Sequence, residues 1–151
     1  MLGLLVALTA ILHAQIPDSA ARAQQLATLK ALDDSLTAVS AATTAFRADL
    51  NHASPDLVIS RAARVQRRCA GAVAQGQRLT ADSLDPHLHH ELASLRAELN
   101  RCVADFTTGA GYRKVDSLTA WAPYRLARLD DAIRRYRGAA RTFQHRLGGP
   151  S

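Results

Sequence analysis

SPDLVISRAARVQRRCAGAVAQGQRLTADSLDPHLHHELASLRAELNRCVADFTTG, residues 54–109, is the stretch that decides the fold. Val58, Ala62, Val65, Cys69, Ala72, Gly76 and Leu79 recur at alternating steps of four and three. Leu88, Leu92, Leu95, Leu99, Cys102 and Phe106 do the same. That spacing puts one apolar seam on each of two helices. Ser54-Pro55-Asp56 reads as a helix start, with a cap, a proline at the first helical position and an acid in the first turn. Asp85-Pro86 repeats the cap-then-proline signal and marks the turn between the helices.

The cysteines test this hairpin. Facing residues of an antiparallel pair lie equally far from the turn, and midway between Cys69 and Cys102 is the Asp85–Pro86 step. Both cysteines also lie on the seams. A disulfide needs Cα atoms within about 7 Å, closer than the usual 8–10 Å between helix axes. The run Cys69-Ala70-Gly71-Ala72 and the nearby Gly76 are small enough to allow that approach. The bridge closes a loop worth roughly 3–4 kcal/mol in the chain-entropy account. Without a Cys-x-x-Cys spacing, a structural bridge is the better reading than a redox pair.

Working outward, the same rhythm predicts a first helix from about Pro17 to Leu50, with Leu29, Leu32, Leu36, Val39, Thr43, Phe46 and Leu50 as its seam. Gly109-Ala110-Gly111 ends the third helix. A fourth spans Asp116 to Leu147, with Leu118, Ala122, Leu126, Leu129, Ile133, Tyr136, Ala140, Phe143 and Leu147 on one stripe. Pro123 predicts a kink or break in it, with the main helix starting there. The expected fold is all-α: an antiparallel up-down-up-down four-helix bundle over 15–147, helices two and three joined by Cys69–Cys102, with a flexible tail at 148–151. A length of 151 residues suits one domain, and 48% hydrophobic content suffices for a core. Eight glycines and five prolines are too few for a turn-rich β-sandwich or barrel.

Met1 to Leu12, MLGLLVALTAIL, carries no charged side chain and precedes a small residue at Ala14. It is too short to span a bilayer and matches the apolar region of a secretory signal. The expectation is a signal peptide over 1–14, export to a periplasmic or extracellular compartment, and no transmembrane segment in the mature chain. An oxidising compartment also suits the expected bridge.

Charge is segregated along the chain. The net +6 is made almost wholly by arginine, 17 of the 19 basic residues. The second and fourth helical segments are strongly basic and the third is acidic, so interhelix pairs are expected to absorb much of the excess. Arg61, Arg64, Arg67 and Arg68 on one helix, with Arg134, Arg135, Arg137 and Arg141 on the other, are the dense clusters. Arg61, Arg64, Arg68, Arg134, Arg135 and Arg141 are the candidate surface-binding residues. No aromatics interleave with the second-helix arginines and no groove-reading motif is present, which argues against nucleic acid. An anionic surface, such as lipid headgroups or an acidic polymer, fits better.

The turn Asp82-Ser83-Leu84-Asp85-Pro86-His87-Leu88-His89-His90-Glu91 is the candidate metal site. Imidazole with carboxylate suits zinc, copper or nickel. His87 and Glu91 share a helix face, and Asp82, Asp85 and His145 are expected at the same end of the bundle. Haem is excluded by the lack of Cys-x-x-Cys-His and of any methionine beyond Met1. A di-iron bundle needs more than the two glutamates present, Glu91 and Glu98. No catalytic constellation emerges, and no cofactor is expected apart from that metal. Trp121, Pro123 and Tyr124 form an aromatic cluster that reads as end-packing or a docking patch. The functional expectation is a small exported bundle with a non-catalytic role. It would contact a partner protein or an anionic envelope surface through its basic helices, with self-association through an exposed face as a variant. The alternative is a metal-binding or metal-buffering module using the His-rich turn.

Overall fold

The computed structural model describes residues 19–80, 83–109 and 115–148. They form α1 (Ser19–Asp49), α2 (Pro55–Gly76), α3 (Pro86–Gly109) and α4 (Val115–Leu147), with no strand among the described residues. The expected leader over 1–14 and the tail beyond Gly148 lie outside them. Each helix packs on the next, α1 meets α4 across the loosest of the four seams, and α2 and α4 barely touch. This is an antiparallel four-helix ring with α2 and α4 on a diagonal.

The seams read from the sequence are the core. Every seam residue of α1, α2 and α3 is buried, from Leu29 to Leu50, Val58 to Leu79 and Leu88 to Phe106. So is every seam residue of α4 from Leu118 to Phe143, while Leu147 packs against the cluster half-buried. Cys69 and Cys102 are bonded, with their Cα atoms 6.3 Å apart. Near the far ends of α1 and α3, Phe46 meets Phe106 edge-on and Phe106 meets Trp121 in the same way. Trp121 is therefore end-packing, whereas Tyr124 is exposed.

Two helix ends differ from expectation for identifiable reasons. α2 stops at Gly76 rather than Leu79. The Arg96 guanidinium of α3 donates to the carbonyls of Gly76 (2.5 Å) and Leu79 (2.9 Å), so the chain unwinds there with those oxygens satisfied. α4 is not broken at Pro123 but runs through it. The buried seam residues Leu118 and Ala122, and Trp121 on Phe106, hold the turn before the proline against the core. Tertiary packing there outweighs the hydrogen bond that proline cannot donate. The start of α3 behaves as read: Asp85 caps it, its Oδ1 accepting from the Leu88 N–H at 2.8 Å. Ser54 takes the cap position of α2 without a side-chain capping bond.

Candidate anion-binding face

The arginines of α4 and those of α2 are placed differently. On α3, Glu91, Glu98 and Asp105 each precede a seam residue, namely Leu92, Leu99 and Phe106. That position lies at the edge of the core, where a side chain faces the neighbouring helix. Arginines of α4 meet them in antiparallel register: Arg135 on Glu91 (3.1 Å), Arg128 on Glu98 (2.8 Å) and Arg125 on Asp105 (3.1 Å). Arg146 on Asp85 (3.1 Å) continues the rail to the end of the bundle. Arg101 adds a second partner to Glu98 at 2.5 Å. Tyr124 first, and then Glu98, push the Arg128 guanidinium further above its ordinary value.

Arg134 and Arg135 both pair with Asp131. Across the α1–α4 seam, Arg137 binds Asp33 at 2.7 Å and Thr37 at 2.8 Å, and Arg47 of α1 binds Asp130 at 2.6 Å. Of the fourth-helix arginines, Arg141 alone has no carboxylate partner among the described residues. Its Nε donates to the Arg137 carbonyl at 3.3 Å.

α2 packs on α3 through small residues and the disulfide, and of its outward arginines one, Arg61, meets an acid among the described residues. Arg61 pairs with Asp49 at 2.7 Å. Arg64, Arg67 and Arg68 are exposed and have no carboxylate partner among the described residues. Together with Leu57, Ser60 and Arg61 they line a concavity of about 490 Å³ on the outer face of the helix. Their spacing places them within about three turns of one helical stripe. Leu57, 41% exposed, stands at one end of that stripe. Sequence reasoning found the arginines but passed over Leu57 and Ser60. The available signal was an apolar residue directly beside the Val58 seam position yet off the stripe.

The His-rich turn is organised around other bonds. His87, His89, His90 and His145 are all exposed. Asp85 caps α3 and pairs with Arg146, and Glu91 is buried against Arg135. Asp82 lies outside the described residues. Among the described residues no group of three or more His, Cys, Asp or Glu side chains gathers to hold a metal ion. No described helix is long and apolar enough to cross a membrane. No protein-family model, curated protein or solved structure matches the chain, so the reading rests on its own residues.

Proposed function

We propose that this chain is an exported, non-catalytic helical bundle that attaches to an anionic surface through the outer face of α2. The observation that carries the reading is the set Arg64, Arg67 and Arg68, without a carboxylate partner among the described residues, in a bundle whose other basic helix is largely matched to acids. Three unpaired guanidinium groups within three turns give a local positive field and forks suited to phosphate or carboxylate oxygens. Leu57 beside them supplies an apolar contact of the kind that rests at a headgroup boundary. The Cys69–Cys102 bond supports an oxidising location, and the apolar run at 2–12 supports delivery there. Glu91 and Glu98, the carboxyls that acid–base chemistry would call on, are held by arginine.

The test is co-sedimentation with phosphatidylglycerol–phosphatidylcholine vesicles and with vesicles of phosphatidylcholine alone. Binding to the anionic vesicles only, weakening as salt is raised past the point where the screening length falls below about 10 Å, is the expected result. The triple variant Arg64→Gln, Arg67→Gln, Arg68→Gln should lose it. Equal binding to both vesicle types, or an unaffected triple variant, would overturn the proposal.

A further inference from the structure

The arginines on the outer face of α2 are bunched. Arg64 lies three residues after Arg61, three before Arg67 and four before Arg68. Each of the others is therefore its neighbour on the helix surface, with Cβ atoms about 5–6 Å apart. Like charges at those spacings cost the helix stability. Diffuse attraction to a charged sheet would be served as well by arginines spread along the helix, since each adds its own share near the surface. Bunching adds something against a compact anion, whose oxygens several guanidinium forks can share. The arginines also border a concavity of about 490 Å³, within the range of small-molecule sites.

Gly71 is a second, independent observation. It is exposed in the interior of α2, and a Cβ placed on it meets nothing within 4 Å. Packing therefore does not call for glycine there. Alanine is the better helix former, and α2 uses it on either side, at Ala70 and Ala72. What glycine changes is the cover over the arginines. A helical side chain lies over the turn N-terminal to its own Cα, so a side chain at 71 would lie over Arg67 and Arg68. With glycine, nothing from that position shields them.

The rest of the lining narrows the ligand. Ser60, one turn before Arg64, offers a hydroxyl donor. The exposed Leu57 lies about 10 Å from Arg64 along the axis. A soluble anion has no use for that leucine, whereas a lipid brings glycerol and acyl carbons beside its phosphate. A phosphate monoester carries about −1.5 to −2 charges at pH 7 and three strong acceptor oxygens. A diester such as phosphatidylglycerol carries a single charge and fewer free oxygens, and makes less of three clustered forks.

Resting on the attachment proposed above, we infer that α2 seats the phosphomonoester headgroup of a lipid, its oxygens shared among Arg64, Arg67 and Arg68 and admitted over the bare backbone at Gly71.

The test is binding of the full chain to phosphatidic acid vesicles and to phosphatidylglycerol vesicles, each in phosphatidylcholine and matched in zeta potential. Isothermal titration with glycerol 3-phosphate runs in parallel. Phosphatidic acid should bind about tenfold more tightly than phosphatidylglycerol, and glycerol 3-phosphate about tenfold or more weakly than phosphatidic acid. Gly71→Gln adds a neutral side chain over Arg67 and Arg68. It should abolish the preference for phosphatidic acid, leave phosphatidylglycerol binding within about twofold, and raise the melting temperature by a few degrees. Equal affinity for the two vesicle types overturns the inference and leaves attachment to anionic surfaces standing, whereas binding to neither overturns both. Glycerol 3-phosphate bound as tightly as phosphatidic acid would assign the seat to a free phosphomonoester and overturn the lipid. An unchanged preference in Gly71→Gln would overturn the seat beside Gly71.

Discussion

α2 and α4 both pack on α3 and both are rich in arginine, yet the two flanks of α3 are joined by different means. Toward α2, the contact is a disulfide set among alanine and glycine, with the Cα atoms 6.3 Å apart. Toward α4, the apolar seam is edged by a rail of carboxylates and guanidinium groups. The covalent flank carries no such rail, its one guanidinium contact being Arg96 on the Gly76 and Leu79 carbonyls, and Arg64, Arg67 and Arg68 of α2 turn outward without a carboxylate partner among the described residues. The ionic flank uses its arginines for register. One charge count along the sequence thus conceals two roles, and the difference is whether an arginine's position faces an acid across the seam.

The strongest way to separate the flanks is to cut the covalent one. Cys102→Ser should lower stability by roughly 3–4 kcal/mol, close to 10 °C in melting temperature for a chain of this size. The loss should be nearly independent of salt, because no charge is removed. Melting by circular dichroism in low and high salt checks it. A loss that vanished in high salt would mean that the α2–α3 flank also rests on ion pairs.

Next in size is the contrast in surface binding. Each arginine near an anionic membrane is worth about 1 kcal/mol, so the triple Arg64, Arg67, Arg68→Gln variant should bind anionic vesicles about a hundredfold more weakly. Arg134→Gln with Arg135→Gln removes two charges that Asp131 and Glu91 already compensate. It should change vesicle affinity by less than about threefold. Equal losses in the two variants, measured by vesicle titration, would show that net charge matters and placement does not.

The ionic flank has a smaller stability effect. Glu91→Gln with Glu98→Gln keeps shape but removes two charges whose arginine partners are about half exposed. The expected cost is about 1–2 kcal/mol at low salt, shrinking as salt is raised. A salt-insensitive loss, followed by thermal melting, would assign those carboxylates to packing rather than to charge.

The architecture was readable because it rests on a period. Leu29 through Leu50, Val58 through Leu79 and Leu88 through Phe106 alternate by threes and fours, and all of them are buried. The disulfide was readable because its midpoint coincided with Asp85-Pro86. The behaviour of Pro123 was not, because propensity argues for a break while Leu118, Trp121 and Ala122 hold the helix through contacts distant in sequence. The candidate face was half legible. Arg61, Arg64 and Arg68 stood out as a cluster, but so did Arg134, Arg135 and Arg141, and what sets Arg134 and Arg135 apart from Arg64 and Arg68 is their pairing with Asp131 and Glu91, which needs the folded chain to be seen. The buried Tyr136 hydroxyl, without a hydrogen-bond partner among the described residues, left no sequence signal. A seam tyrosine looks like any core residue until the bonding of its hydroxyl is known.

Tyr136 gives the smallest effect and probes the buried face of α4, where Asp33 of α1 and Arg96 of α3 both act on its phenol. Its phenol is neutral when protonated, and burial, reinforced by Asp33, raises its pKa above the ordinary value of 10.0. The folded chain therefore keeps this proton to a higher pH than the unfolded chain does. The resulting stability is fully present below about pH 10 and is lost as pH climbs beyond it, because only the unfolded state can then release the proton. Tyr136→Phe removes both the unpartnered hydroxyl and this dependence. At neutral pH it should be neutral or stabilising by up to about 1 kcal/mol, since an unsatisfied polar atom leaves the core. Above about pH 10 its melting temperature should fall less steeply than the parent's. Parallel melting curves across that range would mean that the hydroxyl is solvated in solution. The α1–α4 seam would then admit water beside Tyr136, with Arg137 on Asp33 and Arg47 on Asp130 still joining the two helices.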